Sequence, residues 1–241
     1  MNIEKIEKFQ TLIVGIVVSL AMLVGISIVT TSISQNIITV TGSAYEVVKS
    51  DSGTLEFEIN VKSQTKQESY KEMQRQIAVV KSYLTKKNIK NIDVKTINGY
   101  YVYKRDSRTG YDTGVIDYYN MSQPVKIASD NVELIQNLST DISSLVNDGI
   151  DINVFAPSYN YSKLGDLKVS LLEKASIDAK NRASSMLKPT HNKISKITSV
   201  RMGVYQITPE DSTNVSDGGI NDTSTIYKKV TAVANVSFKI K

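Results

Sequence analysis

Few residues in this sequence are equipped to do chemistry. Histidine occurs once, at His191, in the turn after Pro189. A lone imidazole in a polar turn reads as a solvated side chain before a ligand or a base. Cysteine is absent, which excludes disulfides, thiol catalysis and Cys-based zinc sites. The carboxylates gather in two sets, Asp106, Asp112 and Asp117, then Asp211, Asp217 and Asp222. Neither has the D-x-D-x-D-G spacing that wraps oxygen ligands around calcium, so both read as turn acids. No G-x-S-x-G elbow, phosphate-binding loop or dinucleotide fingerprint occurs. The sequence offers no catalytic residue, no cofactor site and no metal site, and the chain reads as a non-enzyme.

Charge and aromatic residues are what remain. Residues 62–95 hold nine Lys and Arg against Glu68, Glu72 and Asp93. Lys62, Lys66, Lys71, Arg75 and Lys81 are the candidate contacts for an anionic surface, whether lipid headgroups or envelope polymers. The competing reading is the ordinary charged face of a solvated helix. Tyr100, Tyr101, Tyr103, Tyr111, Tyr118 and Tyr119 gather on one expected hairpin. They are candidates for an interface, where tyrosine is enriched, although cross-strand pairing within a fold also explains them. A net charge of +5 is too small for a nucleic-acid signature, and no nucleic-acid partner is expected.

The elements that position these residues begin with an apolar stretch. Residues 12–31 read LIVGIVVSLAMLVGISIVTT, and no charged residue lies between Lys8 and Glu46. That length and composition predict a transmembrane helix over 11–33, with a cleaved signal peptide as the alternative. Lys5 and Lys8 precede it and no Lys or Arg follows until Lys49. The positive-inside rule then puts residues 1–10 in the cytoplasm and the rest outside, a single-pass cell-membrane protein.

Beyond it, residues 37–48 and 55–61 read as strands, the second alternating Leu55, Phe57, Ile59 and Val61 against polar residues. Tyr70, Met73, Ile77, Val80 and Leu84 mark an amphipathic helix over 65–87, with Asn88 as its C-terminal cap. Residues 92–103 and 115–127 are two further strands around a polar loop. A capping box at Asp130 and Glu133 opens the next helix. Residues 150–161 form a strand interrupted by Pro157. The longest helix covers 164–187, with Leu167, Leu171, Ala175, Ala179 and Ala183 inward. Residues 193–207 and 226–240 are the last strands, separated by an acidic loop, 208–224, expected to be mobile. The order ββαββαβαββ predicts an α+β fold with antiparallel sheets and three covering helices.

The chain resembles the SIMPL-domain family, long described as a domain of unknown function. The likeness lies in ITVTGSAYEVVKSDSGTLEFEINV over 38–61 and in the hairpin INGYYVYKR over 97–105 with its return strand 118–127. It continues in the helix LLEKASIDAKNRASSMLK over 171–188, through Ala175, Asp178, Ala179, Ala183 and Leu187, and in the closing strand 230–240. It covers residues 37–241. Ala44 stands where the family has a second glycine, and Ser50 where it has proline. The resemblance implies an exported or membrane-anchored bacterial α+β module that self-assembles, with a link to envelope or oxidative stress in some members. It carries over no catalytic residue. The expected function is thus a structural or interaction protein of the cell envelope, a homo-oligomer held to the membrane by its N-terminal helix, with envelope polymers or proteins as partners. The alternative is a binding module for anionic lipid or cell-wall polymer through the basic 62–95 segment.

Overall fold

The computed structural model describes residues 3–33 and 36–241, with side chains in the N-terminal helix at Gln10 and 12–27. Two units divide the chain. The smaller holds residues 1–44, 172–203 and 233–241, and the larger 45–171 and 204–232.

Residues 3–33 form a single helix, α1 (Ile3–Ile33). The transmembrane reading of 11–33 is overturned, because among the described residues no helix is long and apolar enough to cross a membrane. The single-pass localisation, with its cytoplasmic N-terminus, rested on that span and falls with it. Residues 3–10 belong to the same helix as the apolar stretch.

The larger unit is built on β2 (Ser52–Ser63). Leu55, Phe57 and Ile59 are fully buried and Val61 nearly so, as the alternation predicts. Each such side chain contributes roughly 1.5–3 kcal/mol by leaving water. β2 pairs antiparallel with β5 (Asp112–Ser129), from Gly53 opposite Ser129 to Ser63 opposite Tyr119. On its other edge lie β6 (Asp151–Val154) and β7 (Ser158–Asn160). Pro157 falls in the gap between these two, since it has no N–H to give a ladder. β3 (Asn91–Val94) and β4 (Asn98–Arg105) line the far side of β5. They occupy the stretch read from sequence as one strand.

Two helices cover this sheet. α2 (Lys66–Lys86) opens on a capping box between Thr65 and Glu68, and buries Met73, Ile77, Val80 and Leu84. Asn88, just beyond its end, takes the left-handed conformation (φ 61°) that stops the helix. α3 (Val132–Asp141) buries Val132, Ile135 and Leu138, and a 3-10 turn continues it to Asp148. Its N-cap is Asn131, which accepts from Leu134 N at 2.9 Å, and not Asp130. Glu133 instead pairs with Lys49.

In the remainder of the larger unit, β9 (Gln206–Pro209) pairs with β11 (Tyr227–Ile240) through residues 228–231. β10 (Ile220–Asn221) runs parallel to β9 and gives the acidic loop a strand of its own. Gln206 holds Ser216 by two bonds, Nε2 to its carbonyl at 2.6 Å and its N–H to Oε1 at 3.3 Å. Lys229 Nζ donates to the Ser212 carbonyl. Asp222 accepts from the backbone and hydroxyl of Ser224 at 2.9 and 2.6 Å, and Lys228 Nζ lies 3.4 Å away. Both members of this ion pair are buried. Loop 208–224 is thus fastened at several points, where sequence alone leads one to expect a mobile excursion.

In the smaller unit, the strand β1 (Ile37–Lys49) lies beside β11, with Thr41 Oγ1 donating to Asn235 Oδ1 at 2.6 Å. α4 (Leu164–Leu187) sits on β1 at Gly42. A Cβ there would lie 2.1 Å from the Ala175 carbonyl oxygen and 2.3 Å from Ala179 N. Ala175, Ala179 and Ala183 are fully buried, so the alanine row brings the helix backbone against the strand. Asp178 Oδ2 accepts from Ser43 N at 2.9 Å and pairs with Arg182 at 2.7 Å. The last strand of this unit, β8 (Ile194–Met202), pairs antiparallel with residues 234–240 of β11.

Candidate functional site

An apolar sheet surface left open by its own fold lies on β8. Directly paired residues in a sheet point to the same face. Met202 is opposite Ala234, Val200 opposite Val236, and Ile197 opposite Phe238. The three β11 residues are 0–2% exposed, whereas Met202, Val200 and Ile197 are 57%, 53% and 57% exposed. The buried face of β11 therefore continues onto β8 as an uncovered apolar row. Register shifts within the pair bring Ile197 and Val200, three residues apart, onto one face. The free edge of β8 carries Lys196 and Arg201, which discourage strand-to-strand addition. The face is open and the edge is guarded. Sequence reasoning missed this site because residues 193–207 read as an ordinary strand, and only pairing reveals which neighbours are covered.

The tyrosines divide. Tyr119 is 5% exposed and belongs to the core. Its ring packs edge-on to Tyr101 at 4.8 Å and lies over Gly99, where a Cβ would sit 2.6 Å from its hydroxyl oxygen. Tyr118 is half-buried, with Lys62 Nζ 5.9 Å above its ring. Tyr100, Tyr101, Tyr103 and Tyr111 are exposed on the β4–β5 hairpin. These four keep the interface reading, and Tyr119 is explained by cross-strand packing.

The basic residues are exposed, Lys62 near the end of β2 and Lys66, Lys71, Arg75 and Lys81 along α2. Arg75 is engaged by Glu72 through three bonds of 2.6–3.1 Å. Those bonds, chiefly from Arg75 and then from Gln76, hold the Glu72 carboxyl down at about 2. Asp106 and Asp222, one from each acid set, serve their own turns. Asp106 accepts from Arg108 N, Thr109 N and the Thr109 hydroxyl, and those bonds lower its pKa. Asp112 faces Arg105 at 3.5 Å. Asp222 is held at about 2, since the bonds from Ser224 and Thr225 and the charge of Lys228 outweigh the burial that opposes ionisation. His191 takes a left-handed turn conformation (φ 57°) and lines an open cleft with Lys188 and Lys193. Among the described residues no three His, Asp or Glu converge as a metal-holding group.

Known proteins add a family but no activity. No curated protein matches the chain. The model of the SIMPL family, described as a protein of unknown function (DUF541), matches residues 38–238. Spanning both strands and helices of the α+β fold, that match places the chain in the SIMPL family.

Proposed function

We propose that this SIMPL chain is an interaction module that associates with copies of itself through the uncovered face of β8. The observation that carries this reading is the burial step across one strand pair, from at most 2% exposure on β11 to more than half on β8. An apolar row that continues a core face is driven to find cover by the same term that buries the core. A second copy offers an identical row, so contact about a two-fold axis is self-complementary. Three side chains expose far less than the ~800 Å² per partner typical of stable interfaces. The row alone thus supports a weak, concentration-dependent dimer, and tyrosines of the β4–β5 hairpin are a further contact surface.

The test is sedimentation velocity of the full chain over a concentration series, with Val200→Lys beside the wild type. Val200 is exposed, so the variant keeps its fold while placing a charge in the contact. Faster sedimentation with concentration in the wild type alone supports the proposal, and coincident profiles refute it. The alternative, an anionic-polymer site on α2, has the weaker support because Arg75 is already engaged by Glu72. It requires salt-sensitive retention on anionic polymer that is lost when Lys66 and Lys71 are reversed to Glu.

A further inference from the structure

In the larger unit, α3, the 157–159 segment and residues 209–227 line an open cleft of about 650 Å³, within the range of small-molecule sites. Tyr159 forms part of its wall and is 3% exposed. Its ring packs against Gly53, where a Cβ would lie 3.2 Å from Cδ1. Its N–H donates to the Thr223 carbonyl at 2.7 Å. Its hydroxyl has no hydrogen-bond partner among the described residues, and burial alone raises its pKa. The hydroxyl oxygen is not sealed from solvent, so its proton is available to a ligand in the cleft.

The rest of the wall accepts more than it donates. Ser139 Oγ and Thr140 Oγ1 give their protons to the carbonyls of Gln136 and Asn137, at 2.7 and 2.8 Å. Ser224 Oγ donates to Asp222 Oδ1 at 2.6 Å. These hydroxyls turn only lone pairs outward. Glu210 and Asp211 add two carboxylates, and neither forms an ion pair among the described residues. Tyr227, half exposed, and Pro157 supply flat apolar surface.

We infer that this cleft binds an amino sugar, a hydroxylated ring bearing a free ammonium. The acceptor-rich wall calls for a ligand dense in donors. The two carboxylates call for a cation, whose charge-assisted bonds are the strong ones. Tyr227 and Pro157 offer a face for a saturated ring, and Tyr159 donates to a ring hydroxyl. A polyamine would supply the charge without the ring, and an N-acetylated sugar the ring without the charge.

The experiment titrates the full chain with the glucosamine trisaccharide, by calorimetry and by tyrosine emission, which no tryptophan obscures. Saturable binding at one site per chain is expected. Tyr159→Phe keeps the ring and weakens binding about fivefold, the worth of one hydrogen bond. The double change Glu210→Gln and Asp211→Asn weakens it about tenfold, as does use of the N-acetylated trisaccharide. Both acidic positions lie at the surface of the loop, so that arm reads out even if Tyr159→Phe fails to fold. The inference is overturned by no saturation up to about 10 mM ligand. It is also overturned by unchanged affinity in the acidic variant, or by spermine matching the trisaccharide with both lost in about 0.5 M salt. None of these outcomes depends on whether the chain self-associates.

Discussion

Replacing Gly42 by alanine is the sharpest probe of the smaller unit. The added Cβ would lie 2.1 Å from the Ala175 carbonyl oxygen, 2.3 Å from Ala179 N and 2.7 Å from Ala179 Cβ. The first two obstacles are helix backbone, so no rotamer change relieves them. α4 must withdraw by roughly 1 Å, and a gap of that size forfeits a quarter to a half of each contact across it. Three fully buried alanines lie along that contact face, and the Ser43 N–H bond to Asp178 at 2.9 Å stretches as well. Overpacking of this kind costs typically 1–3 kcal/mol. The backbone obstruction puts Gly42→Ala at the upper end, about 3 kcal/mol, or roughly 6–12 °C in Tm for a chain of this size. Gly165 in α4 is the control, with nothing within 4 Å of an added Cβ. Gly165→Ala should leave Tm unchanged or raise it, since alanine is favoured over glycine in helices by up to about 1 kcal/mol. Circular-dichroism melts of the three proteins decide the matter. A Gly42→Ala melt within about 2 °C of wild type would mean that the glycine does not set the helix–strand distance.

The ion pair that ties Asp222 of loop 208–224 to Lys228 makes a pH prediction. Asp222 titrates at about 2 in the folded chain against 3.8 ordinarily, so its pKa is depressed. Its contribution is complete above about pH 4 and is lost as pH falls toward 2, on the order of 2 kcal/mol. Urea midpoints from pH 5 down to 2 should show that loss in wild type and lack it in Asp222→Asn. At neutral pH the same variant leaves Lys228 buried without its anion, and should cost about 3–5 kcal/mol. Lys228→Met in the same background should recover much of that loss in a double-mutant cycle. Asn131→Ala removes the N-cap of α3 and should cost about 1 kcal/mol by urea unfolding, whereas Asp130→Ala should cost a few tenths at most.

Much of the larger unit was legible because each signal there is local. The alternation of Leu55, Phe57, Ile59 and Val61 and the helical spacing of Met73, Ile77, Val80 and Leu84 appear as the buried faces of β2 and α2. The break between β6 and β7 falls at Pro157, the residue that interrupted the expected strand. The cap of α3 was misplaced by one residue, since Asp130 and Asn131 are both competent and the Lys49 partner of Glu133 is distant in sequence. The transmembrane reading weighed hydropathy across 12–31, whereas among the described residues no helix is long and apolar enough to cross a membrane. The candidate sites were the least legible. The exposure of Ile197, Val200 and Met202 depends on what α4 leaves uncovered. The Tyr159 cleft is assembled from three separate segments, around 136–140, 157–159 and 209–227, with no motif joining them. The glycine, alanines and aspartate that carried the resemblance, Gly42, Ala175, Ala179 and Asp178, prove to serve packing and strand–helix docking.

The central claim is that β8 presents an apolar face awaiting a second copy. Sedimentation velocity of the full chain and of Val200→Lys, at matched concentrations and with matched unfolding curves, tests it most directly. The account predicts that the wild type moves toward a faster species with rising concentration while Val200→Lys does not. Because both proteins carry the same α1, any association through that helix is common to the two and cancels in the comparison. Indistinguishable profiles would contradict the account.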